Sequence, residues 1–119
     1  MKILLPATSD QGGQAEISNR FGRAQYLSIY ENENYEIVEN NATRAMGGAG
    51  VQTAQYVVNK KVDILIARNI GPKAWQVLSA SNIKVYEGIN SSLDNNIKAY
   101  KENKLKRINT ATNAGGLYK

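Results

Sequence analysis

The segment Val62-Asp63-Ile64-Leu65-Ile66-Ala67 constrains this chain most. It is nearly continuous in apolar residues and lacks the alternation of a strand that faces water on one side. A run of this kind reads as a central strand of a parallel sheet, covered on both faces. Parallel strands need crossover connections, and the flanking sequence supplies them. Before it, Val51, Ala54, Val57 and Val58 fall on one face of a helix. After it, Ile70-Gly71-Pro72 opens a second helix, with proline placed for the first turn and Ala74, Val77 and Leu78, extended by Trp75, as the buried face. Ile83 to Glu87 reads as the next strand, ended by Gly88. Ser91-Ser92-Leu93-Asp94 matches a capping box before a third helix, in which Leu93, Ile97 and Tyr100 share a face.

The first half of the chain reads as strands and loops instead. Lys2 to Leu5 reads as a short apolar strand stopped by Pro6, followed by a long polar stretch from Ala7 to Gly22. Tyr26 to Tyr30 and Tyr35 to Glu39 are aromatic and β-branched, and Glu31 to Asn34 between them predicts a hairpin. The resulting order is β-β-β-α-β-α-β-α. Right-handed crossovers then give a five-stranded mixed sheet in the order 3-2-1-4-5, with strand 2 antiparallel and three helices. That is an α/β, ribonuclease-H-like, three-layer arrangement. A flavodoxin-like sheet would need a helix between the first strands, which the glycines and polar residues from Thr8 to Gly22 do not provide. The 119 residues make one domain, expected over 1–108, with a flexible tail at 109–119.

The composition removes large parts of enzyme chemistry. With no cysteine and no histidine, the chain has no thiolate, imidazole ligand or Ser-His-Asp triad. Its three aspartates are Asp10, Asp63 and Asp94; none lies on the first strand, and Asp63 sits at the wrong end of its strand for two-metal catalysis. No catalytic residue is assigned and a non-catalytic role is expected. No apolar run approaches the roughly 20 residues that span a bilayer, so a cytoplasmic location without membrane contact is expected. The net charge of +5 favours anionic partners: a small anion, an anionic cofactor or nucleic acid.

In such a sheet, strands 1, 3, 4 and 5 run the same way, and ligands bind beyond their carboxyl ends. The segments emerging there carry Arg20, Arg23, Arg44 and Arg68, four of the chain's five arginines, and Lys73 follows in the adjacent helix. The glycine run at 47–50, with Gly48 and Gly50, and the turn at 69–71, with Gly71, lead into helix N-termini, where free N–H groups favour anions. An arginine-rimmed, glycine-lined anion pocket is the sharp reading. The plain reading is a flexible loop, since the glycine run matches neither a Walker loop nor the dinucleotide fingerprint.

Taken in order, Met1–Pro6, Ile17–Ala24 (with Phe21-Gly22-Arg23), Gly48–Gln55, Val62–Ala67, Ile70–Ala74 and Ile83–Tyr86 closely resemble the dinitrogenase iron–molybdenum cofactor biosynthesis family, over about residues 1–105. That family includes NifX, NafY and the C-terminal domain of NifB. The resemblance implies a ribonuclease-H-like fold and a carrier of an anionic iron–molybdenum or other metal–sulfur cluster, or of its precursor, serving nitrogenase-type cofactor assembly proteins. It maps the family's functional segments onto Phe21, Gly22 and Arg23, onto Gly48, Gly50 and Gln52, and onto Ile70, Gly71 and Pro72. Where many members have histidine, before Phe-Gly and near the glycine loop, this chain has Arg20 and Met46. Met46 is a soft thioether. No cysteine or histidine ligand exists, so a cluster is held through its anionic periphery, or another anion is bound; no metal ligand set is assigned. Two other readings stay open: a nucleic-acid-binding module using the basic face and the seven tyrosines, and an interaction domain that forms a homodimer through edge strand 3 or 5.

Overall fold

The computed structural model describes residues 1–111. The chain forms β1 (Ile3–Ala7), β2 (Tyr26–Glu31), β3 (Asn34–Glu39), α1 (Ala49–Asn59), β4 (Ile64–Ala67), α2 (Pro72–Ser79), β5 (Lys84–Glu87), α3 (Leu93–Lys101) and β6 (Lys106–Arg107). The sheet runs β3-β2-β1-β4-β5-β6. β1 pairs parallel with β4 and β4 with β5, whereas β1–β2, β2–β3 and β5–β6 are antiparallel. The expected order 3-2-1-4-5 is therefore present, but inside a sheet of six strands rather than five. The sixth arises because the chain turns after α3, with Asn103 at φ 59, and returns along β5. Two charged residues carry no strand pattern, so sequence alone passes over them. With β6 in place, β5 is no longer an edge. Residues 112–119 of the expected flexible tail lie outside the described residues.

Every residue of β1 and of β4 is buried, as the apolar run demanded. Leu4, Leu27, Leu65 and Val85 point to the sheet face covered by α1 and α2, where Ala54, Val57, Ala74 and Leu78 meet them. Ile3, Leu5, Ile64 and Ile66 point to the other face, under Leu93 and Ile97 of α3. The buried side of α1 is Ala49, Thr53, Ala54 and Val57, so Val51 and Val58 flank the core rather than enter it. Five tyrosines, Tyr26, Tyr30, Tyr35, Tyr86 and Tyr100, pack against the α3-side core and extend it to the sheet margins. Burial, followed by the Asp94 carboxylate that accepts the Tyr35 hydroxyl at 2.8 Å, holds that phenol protonated above the ordinary tyrosine range. These partly buried rings pack along the sheet margins on the α3 side.

Pro6 does not stop the first strand. Parallel pairing with β4 covers only Ile3 and Leu4, and beyond them that side of β1 is taken by residues 16–18. Pro6 lies at this exchange of partners, where its carbonyl accepts Ser18 N–H at 2.9 Å. The stretch from Ala7 to Gly22 is accordingly stitched down rather than free: Ala7 bridges Ile17, and Glu16 bridges Ser92 at the start of α3. The hairpin is tighter than expected. β2 and β3 are joined by Asn32 and Glu33, at φ 53 and 65, a pattern of the two-residue type I′ turn. The α3 cap is Ser92, whose hydroxyl accepts Asn95 N–H at 3.1 Å, one residue later than Ser91. Among the described residues no helix is long and apolar enough to cross a membrane.

Candidate functional site

Three loops at the carboxyl ends of β1, β3 and β4 converge on one cleft of about 500 Å³. The first is the tight 3-10 turn Phe21–Arg23. Phe21 is 1% exposed and anchors the turn in the core, which leaves Gly22 lying on the first turn of α1. A Cβ on Gly22 would fall 2.6 Å from Gly50 Cα and 2.7 Å from Gly50 N. The two backbones touch, and only glycine fits between them. Gly50 in turn faces Ala74: a methyl group placed on Gly50 would lie 3.4 Å from the Ala74 Cβ, so small residues also let α2 approach. The Phe-Gly-Arg and Gly-Ala-Gly segments are thus two halves of one packing contact.

The second loop ends at Gly48, which caps α1 with φ 73 and no side-chain cap. Gln52 N–H is the first to bond back into the helix, to Gly48 O at 2.9 Å, so Ala49, Gly50 and Val51 present N–H groups without intrahelical acceptors. The third loop enters α2 through Gly71 and Pro72, again with no side-chain cap, and Trp75 N–H returns to Gly71 O at 2.9 Å. Both helix N-termini border the same cleft. Arg20, Arg23 and Lys73 add three cations, and among the described residues no carboxylate lines it. Field and charge therefore have one sign throughout.

The cations are not equivalent. Arg23 Nη1 donates to Thr43 O and Ala45 O, both at 3.3 Å, and so fastens the 3-10 turn Asn41–Arg44 beside the cleft. Among the described residues the side chains of Arg20 and Lys73 make no hydrogen bond or ion pair, leaving their charge for a ligand. Buried Asn40 holds the same turn from beneath. Its Nδ2 donates to Ala24 O at 3.0 Å and Thr53 Oγ1 at 3.2 Å, and its Oδ1 accepts Ala42 N–H at 3.1 Å. Asn40→Ala should lower unfolding free energy by about 2–3 kcal/mol in a urea titration, because buried partners lose their bonds.

The structure brings eight of the twelve expected site residues to this cleft: Arg20, Phe21, Gly22 and Arg23 on one wall, and Gly48, Gly50, Gly71 and Lys73 opposite. The other four lie elsewhere. Arg44 turns to Glu39, at 3.9 Å, and to Asn41. Met46 is fully exposed, and Gln52 lies on the exposed side of α1. Arg68 is tied to Gly88 O and Asn19 Oδ1, at 2.7 and 3.1 Å, away from the cleft. Charge-guided selection also passes over the apolar lining, Ala49, Val51, Pro72 and Ala74. It misses Asn69 as well, which lines the cleft at φ 56 and donates its amide to Asn19 O. An asparagine ahead of Ile-Gly-Pro was the available signal, since asparagine tolerates the left-handed region.

Fold and cleft define a small α/β domain with one mixed sheet and, at its strand carboxyl ends, a recess lined by three cations, glycines and apolar residues. The chain belongs to the dinitrogenase iron-molybdenum cofactor family, whose model matches residues 1–103. An uncharacterized protein of Methanocaldococcus jannaschii is 38% identical over 113 residues, covering 91% of this chain and 92% of that protein. The apo form of the orange protein from Desulfovibrio gigas superposes with a TM-score of 0.86 over 92% of this chain and 94% of its own, at 24% identity, a likeness of fold. A Thermotoga protein provisionally named NifB and placed in the DUF35 family superposes with a TM-score of 0.81, at 34% identity over 96% of this chain and 98% of its own.

Proposed function

We propose that this protein is a small, non-catalytic cytoplasmic carrier or scaffold that receives an anionic metal–sulfur cofactor of the iron–molybdenum kind, or its precursor, in the cationic cleft. The observation that carries the reading is the cleft's uniform sign among the described residues: three cations, two helix N-termini without side-chain caps, and no carboxylate. Membership of the iron-molybdenum cofactor family supports the class of cargo. The strand order, with three antiparallel strands followed by parallel β-α-β units, supports a ribonuclease-H-like assignment of the fold.

The residues present suit one mode of binding. The chain has no cysteine or histidine, and among the described residues no carboxylate cluster could hold a metal. What the cleft offers is donors: guanidinium, ammonium and backbone N–H groups. Sulfide and carboxylate atoms on the outside of a cluster accept from such donors, and charge-assisted bonds of this kind are the strong ones. Contact through the periphery leaves no metal–protein bond to break on release, which suits handover to cofactor assembly proteins. Titration with tetrathiomolybdate, followed by the visible absorption of the anion, should saturate at one equivalent. A response that rises linearly without saturation contradicts the proposal.

A further inference from the structure

Arg68 points to a second site. Its Nη1 and Nε are fixed by Gly88 O and Asn19 Oδ1, which sets the plane of the guanidinium. Among the described residues Nη2 has no partner. The side chain lines a separate recess of about 360 Å³ together with Lys104 and Lys106, at the end of β5. Among the described residues Glu87 is the one carboxylate lining that recess, so the formal balance of its lining is two positive charges. Lys104 also pairs with Glu102, at 3.1 Å.

The rim opposite the cations is rigid. Asn96 is completely buried, accepts Ile89 N–H at 2.8 Å, and donates to Ile89 O at 3.0 Å and Ser92 O at 2.9 Å. It fixes the loop that presents Ile89, which is 43% exposed on the recess wall. The planar guanidinium held from one side and the fixed loop are the preorganised part of a receptor for one oxyanion group, and the two exposed lysines add charge at its rim.

We infer that this recess is a second anion site, taking a carboxylate or phosphate group between Arg68 and the lysines 104 and 106. It shares no lining residue with the first cleft and stands independently of the cargo reading. The two are nevertheless neighbours. Asn19 accepts from Arg68 on one side and from Asn69 on the other, and Asn69 and Arg20 line the first cleft. A group bound by Arg68 therefore sits across a single hydrogen-bonded wall from the cargo cleft. The group can come from a free oxyanion or from an acidic side chain of a docked protein.

The amide resonances of the full chain, titrated at constant ionic strength with inorganic phosphate and separately with a triglutamate peptide, test the site. Saturable shifts at Gly88, Ile89, Asn90 and Lys106 are expected with at least one probe. Saturation by phosphate identifies a free oxyanion, and saturation by the peptide alone identifies a protein-borne carboxylate. These shifts should persist in the Arg20→Ala/Lys73→Ala variant and weaken by about tenfold or more in Lys104→Gln/Lys106→Gln. The lysine variant should bind tetrathiomolybdate as the parent does, which separates failure of this site from failure of the first. Absence of saturation with both probes, or an unchanged affinity in Lys104→Gln/Lys106→Gln, overturns the inference.

Discussion

Gly22→Ala should be severely destabilising for a change of one methyl group. The new Cβ would lie 2.6 Å from Gly50 Cα, against a comfortable carbon–carbon separation of about 3.5–4.0 Å. The obstacle is the backbone of α1, which cannot rotate aside as a flexible side chain would. Overpacking in tight sites costs about 1–3 kcal/mol and sometimes more, and here we expect at least about 3 kcal/mol. For a domain of this size the midpoint of thermal unfolding should fall by roughly 10–15 °C. The cleft should open with it, because the Phe21–Arg23 turn is seated on α1 through that contact. Gly47→Ala is the control: nothing lies within 4 Å of where its methyl group would stand, and stability should stay within about 0.5 kcal/mol. Equal effects at the two glycines would refute the packing argument.

The second large effect concerns binding without folding. Arg20→Ala/Lys73→Ala removes two cations that line the cleft and bond to nothing else among the described residues. Charge-assisted contacts are worth about 1.5–3 kcal/mol each, so affinity for tetrathiomolybdate should drop by roughly 10²–10⁴-fold. The thermal midpoint should hardly move, since no intramolecular bond is lost. Arg68→Ala makes the informative comparison. It cuts the ties to Asn19 and Gly88 but removes no charge from the first cleft, so it should leave that affinity within a few-fold, about 1 kcal/mol or less. A loss with Arg68→Ala equal to that of the double variant would place the anion elsewhere.

Much of this arrangement is written in local patterns. The continuous apolar run of β4, the aromatic and β-branched residues of β2 and β3 and the helical period after Val51 mark these elements, and handedness of the crossovers does the rest. That is why the order 3-2-1-4-5 is legible in the chain itself. β6 is not, because Lys106 and Arg107 enter the sheet only through backbone pairing with Tyr86 and Glu87. Pro6 misleads for a related reason: its missing N–H matters only if a neighbour needs it, and the neighbour changes at that residue.

The cleft shows the same division. Its glycines and its charges at 20, 23 and 73 were legible, since topology alone assigns those loops to one end of the sheet. The direction of each long side chain was not. Arg68 leaves β4 beside Asn69, yet Gly88 O and Asn19 draw it to the β5 side, while Glu39 draws Arg44 to β3. For Arg68 the choice depends on residues 20 and 49 positions distant, which no local pattern encodes. The Gly22–Gly50 contact is similar: each glycine looks like an ordinary loop residue until the two are brought together.

The most direct test of the carrier reading is anaerobic isolation of the protein from its native host, with molybdenum, iron and acid-labile sulfide measured on the protein-bound fraction. The expected result is stoichiometric metal with sulfide, released by high salt because the cluster is held by charge rather than by ligation. A protein that comes through this isolation with neither metal nor sulfide would contradict it.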